Sequence, residues 1–412
     1  MRSIVFSDLS SDVLIIHRNY ALCQPFRLSL PLFSARIAAV IWVLTAGFGD
    51  GHNTAARCIA EALRETGPDE ETLVADLVGE VHPLLASVLK SGYQVAIIRF
   101  PSIWRAIYDR LAKPNAGASS MKYLEPMLAA MAARLRTHRP RAIVSTYPLY
   151  AGLVQALKAK GIFVPPLVTV ITDSVSVHPV WMMAPSDLYL VADKETREVV
   201  VRQYGIPEAK VQVTGFPVSL DFRHPPPIPT DDGATHRVLY FPSTPASHVA
   251  QTLAALRPQL IDGVKLTMPV GKHGSRLYHT TRRFADANPN ARFELVGWTD
   301  RIPELLQTHD VLITKAGGAI LHEVLAARIP PVIDYVVPGQ EEGNAAMLLD
   351  NQCGLRSHSP QETADCVRRL LENQGVLGTT MRENMRPLSM PDAASRAAQA
   401  VLAAATKQAP IL

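Results

Sequence analysis

Short apolar runs alternate with stretches of helical spacing along most of the chain. Runs such as Ala38–Thr45, Ala142–Ser145 and Leu188–Val191 have the length of buried strands, and each leads into a segment whose apolar positions repeat like those of a helix. Strands that alternate with helices predict parallel sheets with helices on both faces. The pattern predicts further strands at 167–171, 238–241, 264–268, 292–296 and 311–314, and helices near 53–65, 247–257, 276–287, 319–327 and 391–407.

A proline-rich segment interrupts this alternation. His224-Pro-Pro-Pro-Ile-Pro229 and the polar residues after it can continue neither a helix nor a strand, so they predict an exposed linker. A chain of 412 residues is long for one core and suits two domains of about 180 residues each. We therefore expect an arm at 1–36, a domain at 37–223, the linker at 224–236, a second domain at 237–388 and a final segment at 389–412. The helix of that last segment is a candidate for crossing back onto the first domain.

The net charge of +4 is concentrated in one part of the chain. Residues 1–230 carry 23 Lys and Arg against 19 Asp and Glu, while the remainder carries 18 of each. Residues 90–141 hold ten of the basic residues and only two acidic ones, with Tyr93, Phe100, Trp104 and Tyr108 among them. Aromatic rings and basic side chains favour an anionic membrane surface, although an ordinary amphipathic surface helix has the same pattern. No nucleic-acid-binding motif accompanies the charge, so we expect no nucleic-acid partner.

The segment Lys315-Ala-Gly-Gly-Ala-Ile-Leu-His-Glu323 has the clearest chemistry. A predicted strand leads through Gly317 and Gly318 into a predicted helix, where glycine allows close approach and the free N–H groups favour an anion. Glu323 follows one turn later, where a carboxylate can accept two ribose hydroxyls. Pro338-Gly-Gln-Glu341, after the next apolar run, can hydrogen-bond sugar hydroxyls. Phosphate, ribose and hexose contacts in this order predict a nucleotide-sugar site.

The first predicted strand ends in Gly47-Phe-Gly-Asp-Gly-His52. The start of a helix disfavours a charged imidazole, so His52 is expected to be neutral and able to act as a general base, although it could merely cap the helix. The same glycines, with Asp76 after the next strand-like run, also fit a dinucleotide-binding dehydrogenase. A dehydrogenase has no need of a second phosphate and sugar site, which makes this interpretation the weaker one.

Four segments in this chain resemble one glycosyltransferase family and occur in that family's order. The family includes plant monogalactosyldiacylglycerol synthase and bacterial processive diacylglycerol glucosyltransferase, and the likeness extends from about residue 37 to residue 388. The segments are Gly47–His52, Thr172-Asp173 with His178-Pro179-Val-Trp181, Gly215-Phe-Pro-Val218, and Gly317-Gly318 with Glu323, Pro338–Glu341 and Asn344.

The resemblance implies the GT-B architecture, an α/β fold of two Rossmann-like, doubly wound parallel-sheet domains with a cleft between them. It also implies an inverting transfer of a hexose from a UDP-sugar to a membrane lipid, 1,2-diacylglycerol, with His52 as the base. Asp173 could orient His52, bind the acceptor hydroxyl or act as the base itself. The expected donor-binding residues are Ser243, Thr244, Gly271, Lys272, Trp298, Thr299, Gly317, Gly318, Glu323, Gln340, Glu341 and Asn344. The expected acceptor-binding residues are Gly49, Gly51, Tyr147, His178, Pro179 and Trp181.

The chain has no Asp-x-Asp pair, which the other major glycosyltransferase fold uses to hold a metal ion. We therefore expect a metal-independent site with UDP-hexose as donor substrate and no cofactor. Four cysteines without Cys-x-x-Cys spacing indicate a reducing compartment. These features predict a cytoplasmic protein, peripheral on the cytoplasmic face of a membrane. Two alternatives are a lipid I-type or other UDP-sugar glycosyltransferase and a nucleotide-sugar-binding protein without transfer activity. His322, beside Glu323, has the position of a helix-surface residue.

Overall fold

Two six-stranded sheets form the framework of the protein. The computed structural model describes residues 39–47, 50–89, 92, 121–174, 177–228, 233–271, 274–338 and 341–407. The predicted arm at 1–36 and much of the basic run at 90–141 lie outside these residues. All of the described residues belong to one compact unit.

The first sheet is parallel and has the strand order β2-β1-β3-β4-β5-β6. The chain moves outward from β1 to one side through β2 and to the other through β3, so the sheet has a switch point between β1 and β3. Ligands of such sheets bind at the carboxyl ends of the strands beside the switch point. Its strands are β1 (Ala39–Leu44), β2 (Glu70–Ala75), β3 (Ala142–Ser145), β4 (Leu167–Val170), β5 (Leu188–Val191) and β6 (Val211–Val213).

The second sheet is also parallel and has the order β12-β11-β10-β7-β8-β9, with its switch point between β7 and β10. We refer to the part built on β1–β6 as the N-terminal lobe and the part built on β7–β12 as the C-terminal lobe. The strands are β7 (His236–Tyr240), β8 (Val264–Pro269), β9 (Phe293–Val296), β10 (Val311–Lys315), β11 (Pro331–Tyr335) and β12 (Leu355–Arg356).

Helices cover both sheets. Those of the N-terminal lobe include α1 (Asp50–Thr66), α2 (Leu77–Val81), α3 (Met121–His138), α4 (Leu149–Ala159) and α5 (Lys194–Arg202), and residues 83–89 are also helical. Those that follow are α6 (Ala246–Ile261), α7 (Gly274–Ala287), α8 (Ile302–Thr308), α9 (Gly318–Ala327), α10 (Glu342–Asp350), α11 (Pro360–Met385) and α12 (Ala393–Lys407). Helix α11 is interrupted by non-helical backbone at 372–375.

The central strands of the first sheet, β1, β3, β4 and β5, are buried on both faces, as parallel strands under two helical layers must be. In β1, Trp42 packs in a cluster with α3 and α4, whereas Ile41 packs on the opposite face with α1 and α12. Helix α12 thus packs on the N-terminal lobe although it follows the C-terminal lobe in sequence. Its buried residues have the spacing of one helix face, and their small side chains allow close packing. They are Ala394, Ala397, Ala398, Val401 and Ala405.

The two predicted doubly wound parallel sheets are confirmed. Predicted and observed strand limits agree for Ala142–Ser145 and Leu188–Val191, and differ by one to three residues elsewhere, for example at His236–Tyr240. Continuous apolar runs locate buried strands well because both faces must be apolar. They do not locate the ends, where turn and capping interactions decide.

Gly215, in the N-terminal lobe, packs against Met390 and Ala393. These two residues lie at the start of the segment that carries α12, residues 389–407, which we call the crossing segment. Its φ is +86°, and an added Cβ would lie 2.7 Å from the Ala393 Cβ and 2.9 Å from the Met390 sulfur. Gly215→Ala should therefore combine backbone strain with a clash and lower the free energy of unfolding by about 2–4 kcal/mol. Urea unfolding of the two proteins measures this difference.

Gly152→Ala is the matched control, because Gly152 is exposed inside α4 and an added Cβ would meet nothing within 4 Å. This change should stabilise the protein by about 0.5–1 kcal/mol through helix propensity. Equal effects of the two substitutions would contradict the packing of the crossing segment on Gly215.

Candidate functional site

His52 lies in the first turn of α1, after the turn that ends β1. Its Nδ1 is 2.8 Å from the Thr146 carbonyl oxygen and 3.0 Å from the Thr172 hydroxyl oxygen. A carbonyl oxygen can only accept, so Nδ1 carries the hydrogen and the lone pair of the neutral ring is on Nε2. The Thr146 hydroxyl donates to the His52 carbonyl oxygen at 3.0 Å. One residue therefore holds both the ring and the backbone of His52.

Burial keeps this ring neutral. Loss of hydration lowers the pKa of His52 from 6.5 to about 4, and the hydrogen bond to Thr146 opposes the shift only in part. Burial is thus the main cause, rather than the helix N-terminus on which the sequence argument relied. Tyr147 meets the imidazole edge-on with ring centres 5.1 Å apart, and Trp181 lies tilted at 6.0 Å. A neutral imidazole with its lone pair on Nε2 is suited to accept a proton from a hydroxyl.

The Asp173 carboxylate holds the aromatic wall of this site. Its Oδ2 accepts hydrogen bonds from Trp181 Nε1 at 2.9 Å and from the His178 N–H at 3.0 Å. Burial raises the pKa of Asp173, while these two hydrogen bonds oppose the rise. The groups that orient His52 are those of the two threonines, so the orienting role expected for Asp173 belongs to them.

His178 and Pro179 form the start of a short 3-10 turn, Pro179–Met182. The Nδ1 of His178 accepts a hydrogen bond from the Val180 N–H at 3.2 Å and so caps this turn. Trp181, inside the turn, is buried. His178 and Pro179 therefore fix the position of Trp181, and all three are expected acceptor-site residues.

Asp76 holds the glycine-rich turn that precedes His52. Its Oδ2 accepts from the Gly47 N–H at 3.0 Å and its Oδ1 from the Gly79 N–H at 2.9 Å. Both oxygens therefore have backbone partners, which argues against the dinucleotide interpretation, where this carboxylate would bind a ribose. Gly49, in the middle of the turn, lies outside the described residues.

Gly317 and Gly318 connect β10 to α9. An added Cβ at Gly317 would lie 2.8 Å from Lys315 Nζ and 3.5 Å from Glu341 Oε1, so a side chain here would displace the Lys315 ammonium group. Lys315 and Glu341 form an ion pair, and Glu341 Oε2 accepts from the Val337 N–H at 3.1 Å. The sequence predicted that Glu341 binds the hexose. In the structure, both of its carboxylate oxygens have partners within the protein.

Asn344 supports the same turn. Its Nδ2 donates to the Ala316 carbonyl oxygen at 3.0 Å, and the residue is buried. This contact fixes the backbone immediately before the two glycines. Asn344 was expected to bind the donor, and the structure gives it a partner in the turn itself.

Glu323 lies on α9 and is partly buried. Burial raises its pKa to about 7, and the positive charge of Arg57 on α1 opposes that rise. Arg57 on the N-terminal lobe is therefore close enough to Glu323 on the C-terminal lobe for its charge to affect the pKa of that carboxyl group. The carboxylate form of Glu323 can accept two hydroxyl groups.

The remaining expected donor residues lie at strand ends of the C-terminal lobe or just beyond them. Thr244 is buried, Trp298 is 73% exposed, and the Thr299 hydroxyl accepts from the Arg301 N–H at 3.1 Å. Ser243 is partly buried after β7, and Gly271 follows β8. Lys272 and Gln340 lie outside the described residues. In the described part of the chain, no group of three His, Cys, Asp or Glu residues is arranged to hold a metal ion.

The two lobes meet at the N-termini of α1 and α9. The Ala319 Cβ is 3.9 Å from the position that a Gly51 Cβ would take, and the Thr172 carbonyl oxygen is 3.6 Å from the corresponding position at Gly318. The Thr172 carbonyl thus lies beside Gly318 of the C-terminal lobe, and the Thr172 hydroxyl contacts His52. The structure brings the candidate base and the candidate phosphate site together.

A second junction contact was missed in the sequence. His322 Nε2 is 2.7 Å from the Ser174 hydroxyl oxygen, and the His322 ring stacks on Phe216 with centres 4.9 Å apart. The prediction of a helix-surface position for His322 was wrong. No sequence signal could have paired these residues, because Ser174 and His322 are 148 positions apart.

Comparisons with known proteins find similarity over most of the chain. The profile of a family described as Monogalactosyldiacylglycerol (MGDG) synthase matches residues 52–218. A processive diacylglycerol beta-glucosyltransferase of Bacillus cytotoxicus is 25% identical over 377 residues, and the match covers 88% of this chain and 93% of that protein.

Solved structures share the fold. MurG of Acinetobacter baumannii has a TM-score of 0.57 at 17% identity, with 89% of this chain and 99% of that chain covered. A UDP-glucosyltransferase of Polygonum tinctorium has a TM-score of 0.58 at 14% identity, with 89% and 98% covered. At these identities they show the fold, which is the two-domain GT-B fold.

The profile match begins at His52 and ends at Val218, so it includes the Thr172–Trp181 segment and the segment that contains Gly215. The full-length relative extends the likeness through the C-terminal lobe. The chain is therefore similar, over most of its length, to the glycosyltransferases that include monogalactosyldiacylglycerol synthase and processive diacylglycerol beta-glucosyltransferase.

Proposed function

We propose that the protein is an inverting glycosyltransferase that moves a hexose from a UDP-sugar to 1,2-diacylglycerol in a membrane. The observation that carries this proposal is the position of Thr172, whose hydroxyl contacts His52 and whose carbonyl lies against the turn at Gly318. A base and an anion site that touch the same residue suit a direct displacement between two bound substrates. The name of the Bacillus relative supports the acceptor class.

In the proposed reaction, His52 Nε2 takes the proton from the acceptor hydroxyl as that oxygen bonds to the anomeric carbon. The bond between the anomeric carbon and the diphosphate oxygen breaks, and UDP leaves from the opposite face. The Nδ1–H bond to the Thr146 carbonyl stabilises the imidazolium that forms, because a carbonyl oxygen accepts more strongly from a charged donor.

The leaving diphosphate would bind at Gly317 and Gly318, where the N–H groups and dipole of α9 offset its charge. Glu323 would accept the ribose hydroxyls. The hexose would lie toward Pro338–Glu341, near the Lys315–Glu341 ion pair. We propose that UDP-hexose is the donor substrate and that no separate cofactor takes part.

Incubation of the purified protein with radiolabelled UDP-glucose or UDP-galactose and vesicles that contain diacylglycerol tests the proposal. We expect label in the lipid phase, in a glycolipid whose anomeric proton has the large coupling of a β-linkage. Vesicles without diacylglycerol are the control. UDP-sugar binding without any transfer to lipid would leave a nucleotide-sugar-binding protein, and transfer to a polyprenyl diphosphate acceptor alone would favour the lipid I-type alternative.

His52→Ala should lower kcat by roughly 10²–10⁴-fold and leave UDP affinity nearly unchanged, because proton transfer matters in the transition state. Since the pKa of His52 is about 4, activity of the wild type should persist through mildly acidic pH and fall as the ring becomes charged near pH 4. Kinetics and calorimetric titration of UDP measure the two effects.

Glu323→Ala is the contrasting variant, and should weaken UDP binding by roughly 1.5–3 kcal/mol because two hydroxyls lose a charged acceptor. An active His52→Ala together with an inactive Asp173→Asn would mean that the base had been assigned to the wrong residue.

An apolar surface of the N-terminal lobe supports peripheral membrane binding. In the helical residues 83–89, Leu84 is 83% exposed and Val88 is 68% exposed, with Leu85 and Leu89 half-exposed beside them. The basic run at 90–141 follows directly in sequence. Across the described residues, no helix has both the length and the hydropathy needed to span a bilayer. We propose that this surface binds peripherally to the cytoplasmic face of an anionic membrane.

Replacing Leu84 and Val88 together with Glu should weaken sedimentation with anionic liposomes at least tenfold, because two apolar side chains lose burial and two negative charges meet the lipid. Binding of the wild type should also fall with salt. The matched control is Val376→Glu, since Val376 is 62% exposed on the C-terminal lobe. An equal loss in the control, or equal binding to neutral and anionic vesicles, would contradict the membrane proposal.

A further inference from the structure

Ser174 and His322 join the two lobes. The Ser174 hydroxyl oxygen and His322 Nε2 are 2.7 Å apart, and the two residues lie in the loop after β4 and on α9. The His322 ring is parallel to Phe216, with an angle of 3° between their planes. Burial lowers the pKa of His322 to about 3, so the ring is neutral and has one nitrogen able to accept and one able to donate. The ring therefore stays neutral at neutral and mildly acidic pH.

The neighbours of this contact belong to the proposed machinery on both sides. On α9, His322 is adjacent to Glu323, the proposed ribose acceptor. In the loop, Ser174 is two residues after Thr172, whose hydroxyl is 3.0 Å from His52 Nδ1. The residue between them, Asp173, holds Trp181 at 2.9 Å.

Each of the three side chains from 172 to 174 is therefore held by a hydrogen bond. The Thr172 hydroxyl contacts His52, the Asp173 carboxylate accepts from Trp181 in the aromatic wall, and the Ser174 hydroxyl contacts the donor helix. A loop fixed by consecutive contacts transmits a displacement at one end to the other, because three residues leave few free backbone angles. Loss of the Ser174–His322 contact would free the end of the loop that faces the donor helix.

We propose that Ser174 and His322 are positioning residues, and that their hydrogen bond holds the Thr172 hydroxyl against His52 while α9 is in contact with the N-terminal lobe. The base is then correctly oriented only when the donor-binding helix is in place. The inference rests on the proposed glycosyltransferase function and adds two residues to it. Neither residue needs to touch a substrate for this role.

Three variants separate the hydrogen bond from the packing of the ring. Ser174→Ala removes the hydroxyl and keeps the stacked ring. His322→Phe keeps an aromatic ring on Phe216 and removes the nitrogen. His322→Gln keeps a side-chain group that can donate or accept at about the same distance.

Steady-state kinetics with UDP-sugar and diacylglycerol vesicles should show kcat lowered about three- to tenfold in Ser174→Ala and in His322→Phe. The KM for the UDP-sugar and the affinity for UDP should stay unchanged. The double variant should be no slower than either single variant, because both remove the same contact. His322→Gln should recover most of the lost kcat.

Thr267→Val is the matched control, because the Thr267 hydroxyl bonds His309 Nε2 at 3.0 Å inside the C-terminal lobe. His309 precedes β10, at the opposite end of that strand from Gly317. This variant removes the same kind of hydrogen bond and should lower thermal stability without changing kcat.

Three outcomes would overturn the inference while wild-type transfer remains intact. They are multiplicative losses of kcat in the double variant, a His322→Gln variant as slow as His322→Phe, and a raised KM for the UDP-sugar with unchanged kcat. Absence of transfer by the wild type would instead refute the proposed function, and the positioning role with it.

Discussion

The hydrogen bond from His52 Nδ1 to the Thr146 carbonyl determines the chemistry available at the junction of the lobes. It fixes the tautomer, so the lone pair of the ring is on Nε2. It also stabilises positive charge on a ring that burial otherwise keeps neutral. A buried imidazole without such a partner would hold a proton still more weakly, because nothing would offset the loss of hydration. The balance between burial and this one acceptor therefore governs the site.

Parallel topology makes this bond possible. β1 and β3 are neighbours in register from Ile41 and Ala142 to Leu44 and Ser145, so their carboxyl ends lie side by side. His52 belongs to the helix after β1, and Thr146 follows β3 directly. The Thr146 N–H continues the ladder by donating to the Leu44 carbonyl oxygen at 2.9 Å. The crevice at the switch point thus positions His52 through backbone geometry, because the contact at Nδ1 uses the carbonyl of Thr146 and not its side chain.

The features that could be predicted from the sequence are those that depend on the local pattern of residues. Buried strands, the glycine turn at Gly317 and the helix after it are properties of short segments, and the structure contains each of them. Pairings across long separations left no such signal. The partners of His52, the use of Asp76 by Gly47, and the contact of Ser174 with His322 all depend on which strand ends become neighbours. Family resemblance identified residues at the junction, but the direction of each hydrogen bond required coordinates.

Two groups near the junction could in principle serve as the base, and their surroundings distinguish them. Asp173 uses Oδ2 for the Trp181 and His178 N–H groups, so proton transfer to that oxygen would break the bonds that hold the aromatic wall. His52 uses only its N–H side, toward Thr146 and Thr172, and gains stabilisation from Thr146 when it becomes charged. Protonation of Asp173 would therefore weaken the hydrogen bonds that its carboxylate accepts, whereas protonation of His52 strengthens one. This difference favours the proposal that His52 is the base and that Asp173 shapes the acceptor side of the site.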